Sequence, residues 1–133
     1  MTLSRTSRYA LRAAAYLAES IEEDRPATVN DIASALDVPR NYLSKILHQL
    51  AKRGVLTSTR GPSGGFRLSA APDEIKLIEI VEPVEPGFTQ RECLLGRPSC
   101  SDDTPCSAHE HWSELNDAVT RFLEETTLAD LAT

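Results

Sequence analysis

The chain has 133 residues, a hydrophobic content of 41%, a charged content of 26% and a formal net charge of -6. That suffices for one domain with a single core plus an appendage, and two independent domains are not expected. No apolar run approaches the ~18 residues of a membrane span, and Met1-Thr2-Leu3-Ser4-Arg5 lacks the apolar core of a secretory leader, so a cytoplasmic protein is expected.

The first predicted helix runs from about Ser4 to Ser20, with Ala10, Ala13, Ala14, Leu17 and Ile21 repeating at helical spacing on one side. An acidic loop through Glu22, Glu23 and Asp24 follows. Thr28-Val29-Asn30-Asp31 has the pattern of a capping box and opens a second helix, whose Ile32, Ala33 and Leu36 face inward. Pro39 suits the first turn of a third helix, where a missing N–H costs nothing. Leu43, Ile46, Leu47 and Leu50 recur there at i, i+3, i+4 and i+7, and Gly54 suits a left-handed stop. Two short helices joined by about four residues have the layout of a helix-turn-helix, with the second as the recognition helix.

Val55–Thr59 and Phe66–Leu68 are rich in strand formers and flank Gly61-Pro62-Ser63-Gly64-Gly65, which predicts a two-stranded wing. A short helix from Leu77 to Glu82 is expected to stop before Pro83. Residues 85–105 hold too much Gly, Pro and polar sequence for regular structure. A last helix, about Ser107 to Glu125, places Trp112, Leu115, Val119, Phe122 and Leu123 on one side. At ~1.5 Å per residue it would be nearly 30 Å long, and such an apolar face suits a two-fold dimer. The expected class is therefore mainly α: a winged helix-turn-helix over 1–83, a cysteine-bearing loop over 84–106, and a dimerisation helix with a tail over 107–133.

The net acidity opposes phosphate binding, but its distribution does not. Arg5, Arg8, Arg12, Arg25, Arg40, Lys45, Lys52, Arg53, Arg60 and Arg67 all lie in the first half, while much of the acid lies at Glu19–Asp24 and after Asp73. On the third helix Arg40, Asn41, Ser44, Lys45 and His48 form the face opposite the leucines. Arg40 and Asn41 are placed to reach base edges and Lys45 a phosphate. Arg60 and Arg67 bracket the wing tip, where Ser63 and Gly64 allow close backbone approach to DNA.

Cys93, Cys100 and Cys106 are the only cysteines, and His109 follows the last by three residues. Thiolates are the soft ligands that iron-sulfur clusters and zinc select. An odd count in a reducing compartment argues against a disulfide framework. A closed zinc site usually contains a tight Cys-x2-4-Cys clip, which is absent, so a cluster is favoured over zinc. Cys106 and His109 share a face at a helix start; His111 points nearly opposite and is expected at the surface. Glu92, Asp102 and Asp103 are the other candidates for a fourth ligand. No catalytic constellation competes: the glycine-rich wing lacks the Lys-Ser/Thr ending of a P-loop, and neither His-Glu-x-x-His nor Gly-x-Ser-x-Gly occurs.

Ser7-Arg8-Tyr9-Ala10-Leu11-Arg12, Arg60-Gly61-Pro62-Ser63-Gly64-Gly65-Phe66-Arg67-Leu68, the three-cysteine loop and Thr127-Leu128-Ala129-Asp130-Leu131, in that order, resemble the Rrf2 family of bacterial regulators over essentially the whole chain. The resemblance implies a homodimeric winged-helix repressor or activator, with an iron-sulfur cluster in members that keep the cysteines. The chain is nearer the IscR type than the NsrR type. The acidic N-terminal ligand used in the NsrR type corresponds to Arg8 here, and Cys106-Ser107-Ala108-His109 is similar to the cysteine-to-histidine step of the IscR type. Cys93 to Cys100 encloses six residues, one more than the commonest family loop.

The expectation is a regulator on a pseudo-palindromic double-stranded operator, controlled by a [2Fe-2S] cluster on Cys93, Cys100, Cys106 and His109, with [4Fe-4S] or zinc as the alternative occupants. The competing class is a small iron-sulfur or zinc electron-transfer protein without sequence-specific DNA binding.

Overall fold

A computed structural model describes residues 3–20, 25–89, 94–95, 103 and 106–131. Helix α1 (Arg5–Glu19) starts where the Ser4 side chain accepts the Ser7 N–H at 3.2 Å. Its Ala10, Ala13 and Ala14 are wholly buried, and α1 packs against each of the next two helices, the second wing strand, the helix at Leu77–Val84 and the last helical turn at Leu128–Leu131. Small side chains on that stripe let several neighbours approach one helix closely. Ile21 and the acidic residues 22–24 lie outside the described residues.

Helix α2 (Val29–Leu36) has the predicted capping box in full. The Asp31 N–H donates to Thr28 Oγ1 at 3.0 Å and the Thr28 N–H to Asp31 Oδ2 at 3.0 Å. The Thr28 N–H, then its hydroxyl, hold the Asp31 carboxyl below its ordinary value of 3.8, with a smaller contribution from Arg25 and a partial offset from burial. A carboxyl depressed in the folded state contributes stability that is present at neutral pH and is lost as pH falls below 3.8 and through the folded value. Thr28→Ala is expected to cost about 1 kcal/mol, read by urea unfolding at pH 7. An unchanged midpoint would show that the cap is not needed to hold α2.

After Asp37, which adopts the left-handed conformation at φ 54°, helix α3 (Arg40–Lys52) begins. Pro39 stands at the cap rather than inside the first turn: its carbonyl accepts the Leu43 N–H at 3.0 Å, and its fixed φ leads the chain into the helix. The C-terminus closes with both bonds of a Schellman motif, Gly54 N–H to the Ala51 carbonyl and Val55 N–H to the Leu50 carbonyl, each 3.0 Å. Gly54 sits at φ +84°, where a β-carbon would be strained.

Strands β1 (Leu56–Thr59) and β2 (Gly65–Leu68) pair antiparallel with Leu56 opposite Leu68 and Thr59 opposite Gly65. Phe66 also exchanges both backbone hydrogen bonds with Ala27, at 2.7 and 3.1 Å. The wing is thereby tied to the segment entering α2, and a β-carbon on Gly65 would fall on the Ala27 carbonyl.

A 3-10 turn at Pro72–Glu74 leads to α4 (Leu77–Val84), which differs from expectation by including Pro83. In the last turn proline costs one intrahelical bond and its φ is already helical, so the helix runs two residues further, to Val84. Helix α5 (His109–Glu125) starts two residues later than expected, and its 17 residues span about 26 Å. The tail is not a tail. Leu128–Leu131 form α6, Leu128 is fully buried, and its N–H bonds the Ile75 carbonyl at 2.8 Å while Leu77 bonds Thr126 at 2.9 Å. Leu123 and Leu128 therefore share a core with Leu43, Leu47 and Leu50 of α3 and Ile80 and Val81 of α4.

Candidate functional site

Burying Leu43, Ile46, Leu47 and Leu50 turns the opposite face of α3 outward, so Arg40, Asn41, Lys45 and His48 are exposed and Ser44 half-buried. Arg40 Nε donates to Asn30 Oδ1 at 2.6 Å, joining the first turns of the two helices. His48 folds back: its Nδ1 bonds the Ser44 carbonyl at 2.7 Å and its ring stands edge-on to Phe66 at 5.4 Å. It thus packs between recognition helix and wing as well as lying on the outer face.

The start of α2, the start of α3 and the wing enclose one cleft, lined by Asn30, Arg40, His48, Arg60, Gly61 and Gly64 among others. Two guanidinium-bearing residues and glycine backbone in one hollow have the donor chemistry that suits an anion. Ser63 is exposed beside it at the wing tip. Arg67 is exposed too, but it alternates with buried Phe66 along β2 and lines a different hollow with Leu17, Ser20 and Arg25. Asn41 and Lys45 line a third hollow with Arg5, Tyr9, Pro39 and Tyr42. Sequence reasoning missed Asn30, Arg5 and Tyr42. Only Asn30 carried a signal, as a polar residue in the first turn of the helix that crosses beside the recognition helix.

The motif near the N-terminus acquires a physical meaning. Tyr9 stands edge-on to Tyr42 at 5.6 Å, and Thr6 hydrogen-bonds the Tyr42 hydroxyl. Arg12 lies over the Tyr9 ring at 5.9 Å and donates to the Leu36 carbonyl at 2.8 Å, satisfying the end of α2. Ser7, fully buried, donates to Glu85 Oε2 at 2.7 Å. Glu85 terminates α4, where the cysteine-bearing stretch begins, so one hydrogen bond joins that stretch's root to the helix that steadies Tyr42 on α3.

Of the predicted ligands, Cys93 and Cys100 lie outside the described residues, as do Glu92 and Asp102. Cys106 is a half-buried free thiol just before α5, and the His109 N–H donates to its carbonyl at 3.0 Å. His109 is buried at 8% exposure, whereas His111 and Asp103 are exposed. Among the described residues no group of three potential ligands assembles. Thiol and imidazole are donor types that an iron-sulfur group accepts, and Cys106 and His109 supply one of each from a single turn, with Cys93 and Cys100 preceding them in the sequence.

The model of the Rrf2 family, described as iron-dependent transcriptional regulators, matches residues 3–133. An HTH-type transcriptional regulator of Aquifex aeolicus is 42% identical over 133 residues, covering 98% of this chain and 91% of that protein. The regulator IscR of Aliivibrio salmonicida is 31% identical over 131 residues, covering 98% and 77%. The structure of CymR, the global cysteine regulator of B. subtilis, superposes with a TM-score of 0.84 at 30% identity, covering 99% and 96%. T. potens IscR, with a TM-score of 0.78 at 23% identity over 98% and 85%, shares the fold. These relatives are regulators, which decides against an enzyme and against a plain electron carrier. Among the described residues no helix is long and apolar enough to cross a membrane. With a winged helix built on these residues and a family match spanning all but its first two, the chain belongs to the Rrf2 family of transcriptional regulators.

Proposed function

We propose that this regulator acts in the cytoplasm as a homodimer on a pseudo-palindromic operator, and that an iron-sulfur group on Cys93, Cys100, Cys106 and His109 sets its affinity for that DNA. The cleft that unites Arg40 with Arg60 and the wing glycines carries the DNA part of this reading. Arg40 and Asn41 read base edges from the start of α3, Ser44 and Lys45 lie along the same helix, and Arg60, Ser63, Gly64 and Arg67 hold the backbone beside the wing. Arg40→Ala should weaken binding to the preferred operator by ~1–3 kcal/mol while leaving non-specific binding nearly unchanged. A uniform loss across sequences would make Arg40 a phosphate contact instead.

The Cys106–His109 turn supports the cluster part, because one backbone hydrogen bond joins a half-buried cysteine to a buried histidine at the start of α5. When bound, a [2Fe-2S] group supplies a redox-active, ligand-exchangeable centre, and an imidazole in place of a thiolate makes the site less anionic. Absorption and Mössbauer spectra of protein purified without air test the assignment. Iron and sulfide in cluster ratio are expected, and colourless protein with stoichiometric zinc would overturn it. [4Fe-4S] is the alternative nuclearity that the same spectra identify.

The two parts meet at Glu85. A group held by the cysteines would restrain the chain that leaves α4 at Glu85, the Glu85–Ser7 hydrogen bond passes that constraint to α1, and Thr6 and Tyr9 hold Tyr42 of α3. The loaded protein is accordingly the tighter DNA binder, since an ordered root restricts the orientation of the DNA-binding heads.

A further inference from the structure

Arg40 is the first residue of the recognition helix, exposed and rotamer-rich, yet its Nε is held by Asn30 Oδ1 at 2.6 Å. The partner's backbone is itself fixed, although its side chain is exposed. Asn30 is the second residue of α2, inside the turn that the reciprocal Thr28–Asp31 capping bonds fix at 3.0 Å each. Only the amide oxygen of asparagine accepts a hydrogen bond, so Nε–H as donor also sets the orientation of that amide.

A guanidinium has five N–H donors in a planar fork. Using the one on Nε sideways leaves the forward pair, on Nη1 and Nη2, parallel and in plane. Neither nitrogen has a protein partner among the described residues, and the side chain lines the open cleft beside the wing. A forward in-plane pair matches the O6 and N7 acceptors of guanine in the major groove. An unheld arginine would have to give up its rotamers on binding and could serve a phosphate as readily as a base.

We propose that Asn30 is a positioning residue for base readout: it fixes Arg40 so that Nη1 and Nη2 address the major-groove edge of one guanine in each half-site. This rests on the reading of α3 as the recognition helix of a DNA-bound dimer.

The test is selection by the full-length protein from a randomised duplex library at fixed salt, comparing wild type, Arg40→Ala, Asn30→Ala, Asn30→Asp and the double alanine variant. Wild type should enrich guanine at one symmetry-related pair of positions. Arg40→Ala should lower that preference about tenfold, and Asn30→Ala should lower it severalfold at the same positions and nowhere else. The double variant should lose no more than Arg40→Ala alone, because Asn30 acts only through Arg40. Asn30→Asp, which keeps an acceptor for Nε, should retain the guanine. Asn30→Ala with an unchanged preference, or with an equal loss on every sequence, would overturn the proposal while leaving the regulator assignment intact. A wild type that enriches no sequence at all would instead remove the recognition-helix reading, and this proposal with it.

Discussion

Leu50→Ala is expected to cost about 2–5 kcal/mol of folding free energy, the range for emptying a fully packed leucine site. Leu50 has no exposed surface, lies in the core that α3 shares with α1 and α4, and accepts the Val55 N–H that turns the chain into the wing. The cavity therefore opens under the recognition helix at the point where helix and wing are joined. Leu131→Ala is the control. That side chain is 39% exposed on α6 and should cost under about 1 kcal/mol, since surface substitutions away from special features change stability little. Urea unfolding at pH 7 reads both. Equal, small losses would mean that α3 is not packed as described.

The second large effect concerns assembly. Phe122→Asp should convert the proposed dimer to monomers without unfolding them. Phe122 and Leu115 are 55% and 49% exposed, about two turns apart on the outer side of α5, with Trp112 and Val119 half-buried on the same helix. Fully burying one such side chain is worth ~1.5–3 kcal/mol, and a two-fold interface counts each contact twice. A charge there must either be desolvated or hold the helices apart. Light scattering on the eluting protein should show a dimeric wild type and a monomeric variant with the same circular dichroism. A monomeric wild type, or a variant that stays dimeric, would contradict the assignment of α5. Leu123→Asp should behave differently and unfold the chain, because that residue is 2% exposed and faces the core.

That contrast shows what the sequence carried and what it did not. Apolar periodicity placed α1, α2, α3 and α5, and cap chemistry at Thr28 and Gly54 set two of their ends, since each signal is local and repeats over several turns. Phe122 and Leu123 are adjacent and equally apolar, so periodicity put them on one side of the helix, and only tertiary packing separates the inward from the outward residue. Helix α6 is a single turn, too short for any period. It forms because Leu128 fills the core and Thr127 is capped by Asp130 at 2.9 Å. The Ala27–Phe66 bridge and the Asn30–Arg40 bond join residues 39 and 10 positions apart, and no local pattern announces either. The candidate metal site was legible as residue types and spacing. The structure adds the Cys106–His109 turn and the buried state of His109, while Cys93 and Cys100 lie outside the described residues.

Operator affinity measured at one fixed salt concentration for anaerobically prepared loaded protein, the same protein stripped of iron, and Cys100→Ala tests most directly whether the cysteine site controls DNA binding. Fixed salt matters because phosphate contacts alone shift affinity steeply with ionic strength. The loaded protein is expected to bind at least about tenfold more tightly than the other two, a difference of ~1.4 kcal/mol. Equal affinities in all three would contradict it, leaving a regulator whose DNA binding answers to some other input.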